Sequence, residues 1–334
     1  MEIHSFDTVI LGGGPAGFSA GLYAARGELS TAIVDVNMLG GQPSNYLELE
    51  NYPGFVCIGG YELMEKFEEH ADKFGINKFP MQEILSVDLI SNPKVIKTKE
   101  YEFNAKTVII ATGAKPMKLG VKGEKEFVGR GVSYCAVCDG AFYKDKVVAV
   151  VGGGNAAVEE AIYLTRFASK VYLIHRRDEL RADNSKYHII EIMACPGGCI
   201  AGGGQPYHGG DYDNPKLEFV FDSVVKEIVG EDCVKSLVLE NVKSKESTNL
   251  FVDGVFPYIG ISPNVDNFSG QITQDSKGFI LTDDTMKTSI DGVFAVGDVR
   301  VTPLRQVITA AADGAISAVY ASRYIESQKE IKVG

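Results

Sequence analysis

Short apolar runs that end in glycine turns, each followed by an Ala-rich stretch, set the pattern of this chain. Phe6 to Leu11 is the first such run, and it ends in Gly12-Gly13-Gly14-Pro15-Ala16-Gly17. Ala16 to Arg26 has helical character, and Thr31 to Val36 reads as a second strand. Strand, glycine turn, helix and strand in that order predict a βαβ unit. The arrangement recurs 140 residues later, from Gly12 to Gly152. Lys146 to Val151 is the strand there and Gly152-Gly153-Gly154-Asn155-Ala156-Ala157 the turn; a helix over Val158 to Phe167 and a strand over Lys170 to Ile174 follow. Between the copies the pattern predicts an amphipathic helix near Tyr61 to Phe74 and a strand over Thr107 to Ala111. Residues 217–258 read as a set of short strands. The C-terminal part carries an apolar strand over Gly292 to Val296, then Gly297-Asp298, then a long Ala-rich helix from about Arg305 to Ser327.

Two copies of one nucleotide-binding start predict an α/β fold. It has two Rossmann-like dinucleotide-binding domains of the three-layer ββα type, the second inserted into the first. The breakers around Gly113 to Gly123 and the polar stretch Lys243 to Asn249 are the natural joints. They divide the chain into residues 1–116, an inserted domain over 117–245, and a resumed first domain over 246–334. A length of 334 residues suits two domains at roughly 100–200 residues each.

The charge balance narrows the partners. Thirty-three basic against 44 acidic residues leave a net charge of −11, which repels phosphate backbones and excludes a nucleic-acid role. No apolar run reaches the ~18 residues of a membrane span, so no membrane partner is expected. The opening MEIHSFDTVILGGG has no basic stretch ahead of its apolar residues, so a cytoplasmic protein is expected. Six cysteines are too sparse for a disulfide scaffold, and in a reducing compartment close pairs point to redox or metal chemistry.

The two glycine turns differ in the side chains downstream of them. In the first, Gly12 allows the tight turn, Gly14 lets the backbone approach a pyrophosphate, and Gly17 lets helix and strand pack closely. The helix N-terminus offers free N–H groups to the phosphates. Asp35, eighteen residues after Gly17, can accept hydrogen bonds from ribose hydroxyls. In the second, Gly152, Gly154 and Ala157 take the same places, but eighteen residues after Ala157 stands His175, followed by Arg176, Arg177 and Arg181. A carboxylate would repel a 2′-phosphate, whereas guanidinium groups bind it in bidentate fashion. A solvated basic patch is the bland alternative. The pair favours NADPH at the second turn and a ribose-recognising dinucleotide, FAD, at the first.

Cys135-Ala136-Val137-Cys138 is a CxxC followed by Asp139-Gly140. That spacing can close a small disulfide and tends to lower one thiol's pKa. Half of a zinc site and two inert core thiols are the alternatives, and no second pair at finger spacing accompanies it. Asp139 can move a proton beside the thiols, or it can simply form a turn before Gly140.

With these residues in place the chain resembles the low-molecular-weight, bacterial-type thioredoxin reductases. The matching stretches are GGGPAGFSAGLYAAR, GGQ at Gly40 to Gln42, ENYPG at Glu50 to Gly54, ATGAKP at Ala111 to Pro116, CAVCDG, GGGNAAVEEA, HRRDELRA, and GDVR with LRQVITAAADGAISA. They cover nearly the whole chain. The resemblance implies a homodimer that reduces thioredoxin or a thioredoxin-like protein, with FAD in the interrupted domain and NADPH in the inserted one. By motif it implies that Gly12, Gly14, Gly17, Asp35, Gln42, Asn51, Thr112, Gly113, Asp298, Arg305, Gln306 and Val307 surround FAD. It also implies that Gly152, Gly154, Ala157, His175, Arg176, Arg177 and Arg181 hold NADPH. Cys138 would be the flavin-proximal thiol, Cys135 the one that attacks the partner, and Asp139 the acid. The inserted domain would swing between two orientations about joints near residues 113–123 and 243–249.

One segment departs from that resemblance. Residues 186–213 are longer and richer in glycine, and EIMACPGGCIAGGGQP is similar to a cluster-binding motif of iron-only hydrogenases. Cys195 and Cys199 would be two of the usual four ligands, and the accompanying cysteine motifs are missing. An inert loop, a second redox pair and a metal or cluster site stay open there; no resident metal is expected. The insert also leaves open another electron donor, ferredoxin, or an iron–sulfur electron-transfer role. Cys57 and Cys233 are solitary, and His188 and His208 show no ligand spacing.

Overall fold

Val9, Ile10 and Leu11 are fully buried on a strand, β1 (Glu2–Leu11), that lies between two others. A continuous apolar run of this kind marks a parallel strand covered on both faces. A computed structural model of the protein describes residues 1–46, 48–181, 216–268 and 270–331. Its described residues fall into two units: Met1–Lys115 with Ser262–Gly334, and Pro116–Ile261.

The first unit begins with β1, α1 (Pro15–Arg26), β2 (Thr31–Val34), α2 (Gly60–Asp72), β3 (Asn77–Phe79), β4 (Ser86–Asp88), β5 (Lys94–Lys97) and β6 (Tyr101–Ile110). The sheet runs β3-β2-β1-β6-β5-β4. Strands β1, β2, β3 and β6 are parallel, and β5 pairs antiparallel with the first half of β6. Side chains alternate across a strand, and the core follows that period. Val9, Leu11, Val34, Val108 and Ile110 enter one hydrophobic cluster with Phe103, Phe268 and Ile280. Ile10, Ile33 and Ile109 enter the other, with Phe18, Ala20 and Ala321 from helices. One sheet between two cores makes the three-layer arrangement.

The chain leaves through β7 (Ala114–Pro116). The second unit holds α3 (Ala136–Asp139), β8 (Val147–Val151), α4 (Asn155–Leu164), β9 (Lys170–Ile174), β10 (Leu217–Val220), β11 (Ser223–Gly230), β12 (Val234–Asn241), β13 (Ser247–Phe251) and β14 (Gly254–Pro257). A parallel sheet β10-β9-β8-β14 carries the second glycine turn, and β11-β12-β13 form an antiparallel sheet. The same alternation sends Val148, Val150, Val171 and Leu173 to one cluster and Ala149, Val151 and Ile174 to another. The chain returns through β15 (Ile261–Pro263) to β16 (Val293–Ala295), which pairs with the second half of β6, and to α5 (Val307–Ile331). Helices α1 and α5 approach so closely that a Cβ on Gly314 would lie 2.2 Å from the Ala16 carbonyl oxygen.

The second joint is not where the sequence placed it. Residues 246–261 belong to the inserted unit, because β14 pairs with β8 in that unit's sheet. The polar stretch taken for a linker is a hairpin turn. Asn241 Oδ1 accepts the N–H groups of Lys243 and Ser244, at 2.9 Å each, and joins β12 to β13. The unusual segment with Cys195 and Cys199, and His188 and His208 beside them, lie outside the described residues.

Candidate functional site: two glycine turns and a dithiol

At the first turn, Gly12 has φ +114° and donates its N–H to the Val34 carbonyl at 2.8 Å. A Cβ there would meet the Ala111 carbonyl oxygen at 2.3 Å, so only glycine fits. Gly17 is more confined still: its Cβ would sit 1.8 Å from the Gly12 oxygen. Gly14, by contrast, is the N-cap of α1 with no side chain capping it, and a Cβ would find only Gly41 Cα at 3.8 Å. The first N–H groups of α1 have no partner within the helix and carry its positive dipole end. Asp35 follows β2, its Oδ2 accepting the Gly13 N–H at 2.7 Å and its Oδ1 the Asn37 N–H at 2.8 Å. Burial pushes this carboxyl up from its ordinary value while the two N–H groups pull it down. Each oxygen keeps a second lone pair for a ribose hydroxyl.

Of the other residues expected at this site, Thr112, Gly113 and Asp298 follow the C-terminal ends of β6 and β16. Arg305, Gln306 and Val307 lie at the entry to α5, and Gln42 and Asn51 lie on the connection between β2 and α2. Thr112 Oγ1 donates to the Asn264 carbonyl at 2.7 Å, and Asn264 Nδ2 donates back to the Thr112 carbonyl at 2.8 Å. Gly113, at φ +68°, accepts the Asn264 N–H at 3.0 Å. Gln42 Nε2 donates to the Ala114 carbonyl, and Asn51 Nδ2 donates to Gln306 Oε1 at 3.0 Å. Asp298 is partly buried on a one-turn helix after β16, and desolvation pushes its carboxyl up to about 6 against the pull of Arg305. The guanidinium carbon of Arg305 lies over Phe279, 4.3 Å from the ring centre, and Val307 opens α5. Parallel α/β sheets bind ligands beyond the carboxyl ends of their strands. Open backbone at Gly14, unpaired amides of α1 and acceptors at Asp35 suit a dinucleotide.

The second turn repeats the backbone with different side chains. A Cβ on Gly152 would lie 2.4 Å from the Tyr258 carbonyl oxygen, while Gly154, the N-cap of α4, faces open space. Ala157 is buried in the place of Gly17. His175 is only 4 % exposed and packs against Gly153, whose added Cβ would come within 2.3 Å of Nδ1. Burial, with Arg181, Arg177 and Arg176 behind it, holds this imidazole below its ordinary pKa. His175 thus supports the turn from beneath, whereas Arg176, Arg177 and Arg181 are exposed. The Arg181 N–H donates to the Gly153 carbonyl at 2.7 Å and brings the cluster back to the turn. Open glycine backbone beside three guanidinium groups suits a phosphorylated nucleotide.

In the same unit, Cys135 and Cys138 form a disulfide with 5.2 Å between their Cα atoms. Cys135 is the N-cap of α3, and its Sγ accepts the Cys138 N–H at 3.1 Å. The Tyr258 hydroxyl accepts the Ala136 N–H at 2.6 Å. Ser133 Oγ accepts the Cys135 N–H at 3.1 Å and also bonds the Asp139 carboxylate. Burial pushes Asp139 up and the serine bond pulls it down. Tyr143, pushed up to about 12 by burial and next by Asp139, stays neutral beside it. Cys57 and Cys233 are free and exposed. Among the described residues no three His, Cys, Asp or Glu side chains gather as metal ligands.

These features are shared with known proteins. Residues 6–194 and 211–314 match the family described as pyridine nucleotide-disulphide oxidoreductase. The chain belongs to that family. It is similar to the thioredoxin reductase of Peptoclostridium acidaminophilum, 46 % identical over 97 % of this chain and 98 % of the relative. The Bacillus subtilis thioredoxin reductase is 44 % identical over 97 % of this chain and 96 % of its own. The crystal structure of a Streptococcus pyogenes thioredoxin reductase superposes with a TM-score of 0.84 at 46 % identity, covering 97 % of this chain and 99 % of that one. As a member of the pyridine nucleotide-disulphide oxidoreductases, the chain is a flavoprotein that uses FAD and NADPH.

Ser133, Tyr258 and Asn264 join these sites without any signal in the local sequence, and Gly153 is marked only by its place inside the second glycine turn. Ser133 lies two residues before the CxxC. Tyr258 and Asn264 reach the site by long-range packing that no local pattern announces.

Proposed function

We propose that this protein is an NADPH-dependent disulfide reductase that passes electrons through FAD and the Cys135–Cys138 pair to oxidised thioredoxin or a thioredoxin-like protein. The observation that carries this reading is the closed disulfide at the start of α3 with the partly buried acid Asp139 one residue beyond it. We assign Gly12, Gly14, Gly17, Asp35, Gln42, Asn51, Thr112, Gly113, Asp298, Arg305, Gln306 and Val307 to FAD. Gly152, Gly154, Ala157, Arg176, Arg177 and Arg181 go to NADPH, with His175 beneath the turn. Bound NADPH supplies a hydride, and bound FAD carries its two electrons to the disulfide.

The chain's own residues do the rest. Two electrons and two protons convert the disulfide into two thiols, and Asp139 supplies one of those protons. The Cys138 N–H stabilises negative charge on Cys135 Sγ, which lowers that thiol's pKa. Cys135 then attacks a partner disulfide: its sulfur bonds one partner sulfur, the partner S–S bond breaks, and the leaving thiolate takes a proton. Cys138 next attacks Cys135 Sγ, which re-forms the internal disulfide and releases the second partner thiol. The resemblance supports a homodimer, a cytoplasmic setting and movement of the inserted unit about its two joints. No helix among the described residues is long and apolar enough to cross a membrane. Replacing Cys135 with Ser tests the assignment: bleaching of the flavin by NADPH should persist while thioredoxin reduction is lost. Full reductase activity in that variant would refute it.

A further inference from the structure

The Ser133 hydroxyl stands where the acid and the attacking cysteine's peptide meet. Its oxygen accepts the Cys135 N–H at 3.1 Å, it bonds the Asp139 carboxylate, and the Cys135 carbonyl lies 3.3 Å away. Ser133 is buried, and its own N–H is fixed on the Val255 carbonyl at 3.0 Å. A hydroxyl has one hydrogen and two lone pairs. That single hydrogen therefore has two destinations, and the charge on Asp139 chooses between them.

With Asp139 ionised, Ser133 donates to the carboxylate. With Asp139 protonated, the acid's O–H donates to Ser133, and the serine hydrogen turns to the Cys135 carbonyl. In both arrangements the serine oxygen keeps the Cys135 N–H, and the Cys135 carbonyl, which accepts the Asp139 N–H at 3.1 Å, stays within 3.3 Å of the serine. We propose that Ser133 is a positioning residue of the reductase, which sets the proton affinity of Asp139 and ties its proton state to the peptide that carries Cys135. This rests on the roles assigned to Cys135, Cys138 and Asp139 under the proposed function.

The surroundings leave Ser133 as the group that matters. Tyr143 faces Asp139 and stays neutral. From α4 and the turn after it, Leu164, Phe167 and Tyr163 pack against Gly140, next to the acid. The Tyr258 hydroxyl is engaged by the Ala136 N–H. The serine bond favours the ionised acid, so its removal raises the proton affinity of Asp139.

The test compares the parent holoenzyme with Ser133→Ala and Ser133→Thr, each checked for flavin content and melting temperature. The rate of thioredoxin reduction is followed against pH. In Ser133→Ala the limb that reports Asp139 should move up by about one pH unit, the effect of losing one hydrogen bond to a charged group. Ser133→Thr keeps the hydroxyl and should return the limb to the parent position. In an Asp139→Asn background, Ser133→Ala should produce no further shift; should Ser133→Ala fold poorly, Ser133→Cys, whose thiol is a weak donor, takes its place and should move the limb the same way. Coincident limbs in parent and Ser133→Ala, equal shifts in the Ala and Thr variants, or a full shift in the Asp139→Asn background would each overturn the proposal. A Cys135→Ser enzyme that keeps its reductase activity would instead refute the underlying reading, whatever Ser133 does.

Discussion

The two glycine turns share a backbone and differ in where they keep their charge. At the first, two carboxyls are drawn partly out of water beside a half-buried Arg305: Asp35 pinned by two N–H groups, and Asp298 with its pKa raised to about 6. At the second, a neutral histidine is buried and three arginines stand in solvent. A pinned, partly buried acceptor suits a neutral ribose held for the life of the enzyme, because ordering it once is enough. Exposed guanidinium groups suit a charged nucleotide that enters and leaves at every turnover, since they gather it by long-range attraction. On the assignment proposed above, one fold would serve a resident and a visiting cofactor through a change of side chains.

The comparison breaks most completely at the helix–strand contact. The second turn carries Ala157 where the first carries Gly17, and the two are not interchangeable. A Cβ at Gly17 would overlap the Gly12 carbonyl oxygen at 1.8 Å, so backbone must move. Gly17→Ala should therefore cost about 3 kcal/mol or more and yield protein without bound flavin. The ratio of flavin to protein absorbance, with a melting curve, checks this. A yellow, normally stable variant would show that the first turn has slack that its geometry denies.

Much of this contrast could be read in the sequence, because it lies in local backbone demands. Gly12, Gly17 and Asp35 are fixed by a turn, a helix and a strand that succeed one another within two dozen residues. The run HRR announces its charge directly. What escaped is whatever depends on packing between distant segments. The stretch 243–249 has the composition of a linker, yet Asn241 turns it into a hairpin, and β14 finds β8 across more than a hundred residues. His175 reads as one more cation beside the arginines, yet it is folded beneath Gly153, where burial keeps it neutral. The Thr112–Asn264 exchange of hydrogen bonds links positions 152 residues apart.

The partly buried Asp298 carboxyl has a measurable consequence in flavin-free protein. Asp298 titrates at about 6 when folded, against 3.8 for the unfolded chain. The folded state then binds the proton more tightly, so stability is greatest below pH 4 as far as this group is concerned, and it falls as pH rises from about 4 to 6. The full loss is about 3 kcal/mol above pH 6. Asp298→Asn removes it: the flavin-free variant should be more stable than the parent at pH 7 by up to that amount and no different near pH 3.5. Urea unfolding at the two pH values makes the measurement. Equal stability at pH 7 would mean that Arg305 already offsets the burial.

The second site responds to its exposed charges by binding alone. Replacing Arg176 and Arg177 together with Ala should raise KM for NADPH by about 10- to 100-fold, as expected for lost charge-assisted bonds to a phosphate. The KM for NADH should hardly move, and so should the melting temperature. Steady-state kinetics with both nucleotides give the answer. Equal losses for NADPH and NADH would remove the 2′-phosphate from the account and leave the arginines as a solvated patch.

The smallest effect separates folding from binding within one turn. Gly153 and Gly154 are adjacent, but a Cβ on Gly153 would press into the His175 ring at 2.3 Å, while one on Gly154 meets nothing within 4 Å. Gly154 lies at an extended φ of −95°, open to any residue. Gly154→Ala should thus change stability by less than about 0.5 kcal/mol. The added methyl would nevertheless stand where a pyrophosphate approaches the first amides of α4. NADPH affinity should fall several-fold with flavin content and stability untouched, as isothermal titration and a melting curve on the same sample can establish. Unchanged affinity would mean that the nucleotide does not ride over this turn, and the likeness between the two glycine loops would then be one of backbone only.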